Sequence, residues 1–300
     1  MKLLCIHFFV MLSMILADSS HAWDVLVVQN YRTKPYSEVI RGFKAASAAR
    51  TTELVMSEMN GAEALREIRK RRPDLILAIG MDSLLTVKKI SDIPIIYCMV
   101  LSPETVLGNE KNITGISMNI PPEKYLSALA KALPHLKRIG LVYNPRKTGA
   151  IVDKTHTAAE KMGIRLTALK AERARDLPRL LELLPEGLDA YWMIPDSTFT
   201  APEAVEALIF YSMRSRVPIF TFSEKYLRMG AFLSLDLDAY ELGKQAGEIS
   251  VKVKSGVDVA AIPRTDAERA VPTINRTVAA KLGIVLNSSS LKKFRFLDKE

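Results

Sequence analysis

The stretch "DAYWMIPDSTFTAPEAVEA", residues 189–207, decides the fold. Asp189 to Ile194 is an aromatic and aliphatic run of strand length, broken by Pro195. Asp196, Ser197 and Thr198 follow, and after Phe199 the pattern changes to that of a helix. Thr200 and Glu203 have capping-box spacing, and Pro202 suits a first helical turn. A buried strand that carries one carboxylate and two hydroxyls to the start of a helix is the ligand-side edge of an α/β sheet.

The same alternation runs outward from this stretch in both directions. Towards the N-terminus, strand-like runs at Asp24 to Val28, Thr52 to Ser57, Asp74 to Ile79 and Ile95 to Val100 are separated by helical stretches. Those stretches are Tyr36 to Ala49, Asn60 to Arg71 and Asp82 to Lys89. A second series starts at Pro121-Pro122. It has strands at Arg138 to Tyr143, Ile164 to Leu169, Ala190 to Ile194 and Ile219 to Phe222, again with helices between. Short β-rich runs alternating with helices indicate parallel sheet built from βαβ units. Two such series of similar size predict an α/β chain of two doubly wound parallel-sheet lobes. No Gly/Ser- or Pro-rich linker divides them. The joins, near residues 112–117 and 231–235, read as short extended crossings able to act as hinges.

At 300 residues the chain is comfortable for two lobes, and 48% hydrophobic with 25% charged excludes a wholly disordered protein. Residues 1–22 read as a secretory signal peptide: basic Lys2, the apolar run Leu3 to Ala17, then Ser20-His21-Ala22 before a cleavage at Trp23. The apolar run is shorter than the roughly 20 residues that span a bilayer. The mature chain is therefore expected in the periplasm or secreted. Cys98 is its only cysteine, so no internal disulfide is available.

The net charge is +9, and the densest basic run, Arg69-Lys70-Arg71-Arg72, ends a helix where cations complement the dipole. Neither interleaved aromatics nor a recognition helix accompanies it, so no nucleic-acid partner is expected. His135 and His156 stand alone, without metal-ligand spacing. There is no G-x-S-x-G elbow, no phosphate loop and no G-x-G-x-x-G after the first strand. Asp236 and Asp238 could pair for acid/base work, yet they sit where a strand leaves the sheet and suit hinge or capping roles. No enzyme activity, cofactor or metal is expected.

Binding is better supported. Several strands end in polar residues: Asp82 and Ser83, Asn144, then Asp196, Ser197 and Thr198, and Ser223 with Glu224. Each residue alone is a suitable N-cap. Together they recur at the same end of both sheets, where donors and hydroxyls can hold a small polar ligand. Tyr31, Tyr36, Tyr143 and Trp192 are candidate apolar walls, with core as the alternative for Trp192 within its strand.

The segments "NITGIS", "PPEKYLSALAKALPHLKRIGLVYNP", "DAYWMIPDST", "VPIF", "MGAFLSLDLDAYELGKQAGEISVKVKSG" and "INRTVAAKLGI" stand in an order that resembles one group of ABC-transporter substrate-binding proteins, the tryptophan/tyrosine-type uptake family. The resemblance covers roughly residues 24 to 286. It implies a type I periplasmic-binding fold whose two lobes, joined by three crossings, close on a small ligand. Lobe one would take residues 23–118 plus 230–262, and lobe two 119–229 plus 263–287, leaving 288–300 as a basic tail. Asp196 and Thr198 match the family's Asp-Asn-Thr while Ser197 departs from it, and Asn144-Pro145 matches its Asn-Pro. Ser102-Pro103 stands where Asp-Pro is usual, and Asp236 where a Gly is usual. Such exchanges of polar groups can redirect specificity.

The resemblance implies a solute-binding protein that delivers a small polar ligand, such as an amino acid, to an ABC permease, touching the membrane complex only peripherally. Asp196 is then expected to accept from an ammonium or N–H group, Ser197 and Thr198 to bond a polar head, and Asn144 to orient it. Tyr36, Asp82 and Ser83 would act from lobe one, with Ser102 nearby and Ser223 and Asp236 completing the set. The alternatives are a sensing subunit for a membrane sensor protein and an exported α/β enzyme.

Overall fold

The computed structural model describes residues 23–297, so the signal-peptide reading of residues 1–22 lies outside the described residues. The described chain divides into two compact units: 23–98, 106–115 and 243–263 in the first, and 99–105, 116–242 and 264–297 in the second.

The first sheet is built from β1 (Asp24–Gln29), β2 (Arg50–Val55), β3 (Leu75–Ile79), β4 (Ile95–Val100), β5 (Ile113–Ser117) and β11 (Thr265–Asp266), in the order β11-β5-β4-β3-β1-β2. β1 runs parallel to both β2 and β3, with Leu26 level with Thr52 and Ile76. Every residue of β3 is buried, and so is β1 from Val25 on. A parallel strand covered by helices on both faces requires such a continuous apolar run. The helices are α1 (Lys34–Ser47), α2 (Gly61–Arg71), α3 (Met81–Val87) and, further along the chain, α9 (Ala239–Lys254). α9 lies close enough to α1 that a Cβ on Gly243 would meet the Val39 carbonyl oxygen at 2.0 Å, so only glycine fits this contact.

The second sheet takes β6 (Arg138–Tyr143), β7 (Arg165–Lys170), β8 (Ala190–Trp192), β9 (Ile219–Thr221), β10 (Leu233–Leu237), β12 (Ala270–Asn275) and β13 (Arg295–Leu297), in the order β13-β12-β10-β9-β8-β6-β7. β10 and β12 pair antiparallel, and the other characterised pairs are parallel. Its helices are α4 (Pro122–Ala132), α5 (Pro145–Lys161), α6 (Leu177–Glu182), α7 (Pro202–Ser215), α8 (Glu224–Met229) and α10 (Arg276–Lys281). One face buries Trp192, Phe220 and Tyr125, whose ring centroids lie 5.0–5.8 Å apart, and the other buries Tyr191, Leu208 and Leu227. Both faces of the sheet are thus covered, and the fold class is the expected α/β arrangement.

The structure changes or decides four readings. Residues 230–242, read as part of lobe one, belong to the second unit. The reason is that β10 pairs with β9 and β12 and sends Leu233 and Leu235 into the second core. Residues 288–297 of the basic tail pack on the second unit, since Leu291 is 1% exposed, Phe294 is buried and β13 extends the sheet beside β12. Thr200 and Glu203 form no capping box: α7 starts after Ala201 with no side-chain cap, and the Thr200 hydroxyl donates to the Ser197 carbonyl instead. A capping box forms at α2, where Asn60 and Glu63 each accept from the other's backbone N–H at 3.0 Å. Finally, Trp192 and Tyr143 are buried at 1% and 7% exposure, and Trp192 takes the core place that was its alternative reading.

Candidate functional site

Doubly wound sheets bind at the carboxyl ends of their strands where the strand order reverses. In the first unit the chain passes from β1 to β2 on one side and then crosses to β3 on the other, so the reversal falls between β1 and β3. In the second unit the same step occurs around β6, flanked by β7 and β8. The polar clusters stand at these two points.

In the first unit, Asn30 follows β1 and donates its amide to Asp82 at 2.7 Å. Asp82 is exposed in the first turn of α3. Before it, Gly80 adopts φ +89°, and a Cβ there would lie 2.3 Å from the Tyr36 hydroxyl, so glycine seats the tyrosine over the strand end. Burial pushes the Tyr36 phenol above its ordinary value, and the adjacent Cys98 and Asp82 push the same way. Ser83 is fully buried beneath this edge, with no hydrogen-bond partner for its hydroxyl among the described residues. Tyr36, Asp82 and Ser83 are thus neighbours as expected. Asn30 escaped the sequence reading, although it ends "VVQN" just as Asn144 ends "LVYN".

In the second unit, Asp196 organises the edge. It is 1% exposed, and its carboxylate accepts from the Asn144 N–H at 2.7 Å, the Thr148 hydroxyl at 2.7 Å and the Thr198 N–H at 2.9 Å. These bonds tie the loop after β8 to the start of α5. Asn144 caps α5 by accepting from Arg146 N–H at 3.0 Å, and its own amide donates to Thr198 Oγ1 at 3.1 Å. Ser197 is exposed and accepts from the Lys147 ammonium at 2.9 Å. Asn144, Asp196, Ser197 and Thr198 therefore come together as expected. Most of the acceptor capacity of Asp196 goes to its own chain. Thr148 and Lys147 were missed; Thr148 lies one helical turn past Asn144, a readable spacing.

The remaining candidates lie elsewhere in the second unit. Ser102, expected in lobe one, falls in residues 99–105 with φ +49°, its N–H donating to Asn119 Oδ1 at 3.2 Å. Ser223 caps α8 by accepting from the Lys225 N–H. Asp236 accepts from the Glu224 N–H at 2.7 Å and from the Ser234 hydroxyl at 2.5 Å. Burial raises its carboxyl above the ordinary carboxylate value, the two hydrogen bonds and Arg295 oppose the rise, and Glu224 adds to it. Asp238 accepts from the Glu241 N–H at the start of α9. Asp236 and Asp238 thus serve helix starts, the capping role that their position suggested. A groove of about 780 Å³ along α4 and β12, lined by Lys131, Leu235, Pro272 and Arg295 among others, includes Asp238 but none of the expected ligand-binding residues. Among the described residues no cluster of His, Cys, Asp and Glu suits a metal ion, and no helix is long and apolar enough to cross a membrane.

Known proteins resemble this chain in sequence or in fold. A tyrosine-binding protein of Clostridioides difficile is 25% identical over 213 residues, 68% of this chain and 61% of that protein, so the chain spans less than two thirds of its length. A ligand-free, open substrate-binding protein with adhesive properties from Clostridium difficile superposes with a TM-score of 0.77 at 18% identity, covering 92% of this chain and 99% of that one. A domain of Streptococcus pneumoniae in complex with L-Trp superposes at 0.65 with 19% identity, covering 91% and 99%. At such identities the structures speak for the fold alone. Residues 40–295 match the ABC transporter substrate binding protein family, and the chain belongs to that family.

Proposed function

We propose that this chain captures a small polar solute outside the cytoplasm, an amino acid with an aromatic side chain being the first class to test, and delivers it to an ABC permease. The observation that carries the reading is the placement of a polar cluster at the reversal point of each sheet: Asn30, Tyr36 and Asp82 in one unit, Asn144, Ser197 and Thr198 in the other. The ligand class comes from the relatives, one a tyrosine-binding protein and one holding L-Trp. Tyr31, 59% exposed beside Asn30, and the half-buried Tyr36 offer ring faces for an aromatic solute. The leader-like residues 1–22 support export, and membership in a substrate-binding family supports capture without catalysis.

A thermal-shift screen of the chain from Trp23 against L-tyrosine, L-tryptophan, L-phenylalanine, the other amino acids and simple sugars tests this reading. A ligand at 100 times its dissociation constant adds about 2.7 kcal/mol of stability, which raises the melting temperature visibly. Stabilisation by aromatic amino acids is expected. A flat response to every amino acid would remove them as the ligand class.

A further inference from the structure

Around the β6/β8 reversal the charges of Arg146, Lys147, Glu172, Arg173, Asp176 and Asp196 sum to zero, yet they are not all paired, because Lys147 makes no ion pair among the described residues. Arg146 is neutralised by Glu172 through two hydrogen bonds of 3.0 and 3.1 Å, and Arg173 pairs with Asp176 at 3.2 Å. Asp196 is buried and occupied by three donors of its own chain. Lys147 differs from its neighbours: it is exposed, and the only polar contact of its ammonium among the described residues is the Ser197 hydroxyl at 2.9 Å. Since Ser197 Oγ accepts there and Thr198 Oγ1 accepts from Asn144, both hydroxyl protons are available to donate. One ammonium and two hydroxyls thus stand together, and the carboxylates of Glu172, Asp176 and Asp196 are engaged with other groups.

We propose that Lys147, with the Ser197 and Thr198 hydroxyls, receives the carboxylate of the captured solute, and that Asp196 is a positioning residue that holds this set in place without touching the ligand's ammonium. The assignment rests on the capture reading above and narrows it to carboxylic acids, α-amino acids included. An ammonium ion pairs with a carboxylate through a charge-assisted hydrogen bond, and an amine lacking the carboxylate would bring a second cation against Lys147.

Calorimetric titration of L-tyrosine, of tyramine (no carboxylate) and of 3-(4-hydroxyphenyl)propionate (no ammonium) separates the possibilities. The protein should hold tyrosine and the propionate at least about 10-fold tighter than tyramine. Lys147→Gln should weaken tyrosine about 10- to 100-fold, the worth of one hydrogen bond to a charged group. Tyramine should change less than about twofold, and Lys147→Arg should recover much of the loss by restoring the charge. Lys147 is exposed, so the melting temperature of the unliganded variants should match that of the parent, which separates binding from folding. Tyrosine binding that survives Lys147→Gln, or an equal loss for tyramine, overturns this assignment alone. No binding of any of the three by the parent protein overturns the aromatic amino-acid reading and the assignment with it.

Discussion

Asp196 shows how one buried side chain can shape the edge of a sheet. Its carboxylate gathers two backbone N–H groups and a hydroxyl from both sides of the β6/β8 reversal at 2.7–2.9 Å. Hydrogen bonds to a buried charge are strong, and removing the acceptor leaves donors buried without partners. Asp196→Ala should therefore cost about 3 kcal/mol of stability, read as a lower urea midpoint at unchanged slope. Thr148→Val, which removes a single donor, should cost about 1 kcal/mol. If both variants lie within about 0.5 kcal/mol of the parent, as ordinary surface changes do, Asp196 is not the staple described. The sequence identified Asp196 by type and position. It did not reveal that Thr148, 48 residues away in the chain, consumes part of its acceptor capacity.

At the scale of elements, the strands were legible because parallel strands covered on both faces must be apolar throughout, as "LILAI" of β3 is. Helix starts were less legible. Two segments carry similar capping patterns, yet Asn60 and Glu63 close a box while Thr200 and Glu203 do not. Thr200 instead turns back to Ser197, in the loop already tied down by Asp196. β13 was not legible, because Arg295–Leu297 lies in the charged stretch "LKKFRFLDKE" without the apolar run that marked the equally short β8 and β9. Its approach nevertheless buries Leu291 and Phe294, and Arg276 lies 4.1 Å from the Phe296 ring centroid. Removing residues 288–300 should cost about 3–5 kcal/mol, from the burial of two large apolar side chains. Chemical denaturation of the shortened chain checks this, and an unchanged midpoint would mean that the segment does not pack.

For the molecule as a whole, the net charge of +9 says little about which groups govern stability, because most of its exposed charges are hydrated. The acid response should instead carry the mark of Asp236, whose folded-state value is raised by burial. For a carboxyl raised on folding, the native state holds its proton more firmly than the unfolded chain. This contribution is therefore full below the unfolded value and declines as pH rises through the folded one. Asp236→Asn should remove that component, so the difference in stability between variant and parent should shift in the variant's favour as pH rises across this window. Urea midpoints at a series of pH values from about 3 to 7 would show it. A constant difference across the series would mean that Asp236 titrates alike in both states.

By itself the sequence determined the α/β class, the paired series of βαβ units, and the kind of polar residue at each strand end. These follow from local periodicity and from turn chemistry, which act over a few residues. Tertiary structure decided what such signals cannot contain. It assigned β10 to the second sheet, because strand partners are chosen by packing between segments distant in the chain. It separated Asp196, engaged by its own fold, from Lys147, whose contact is a single hydroxyl, because hydrogen bonds made inside the chain consume lone pairs that the sequence shows as equally available.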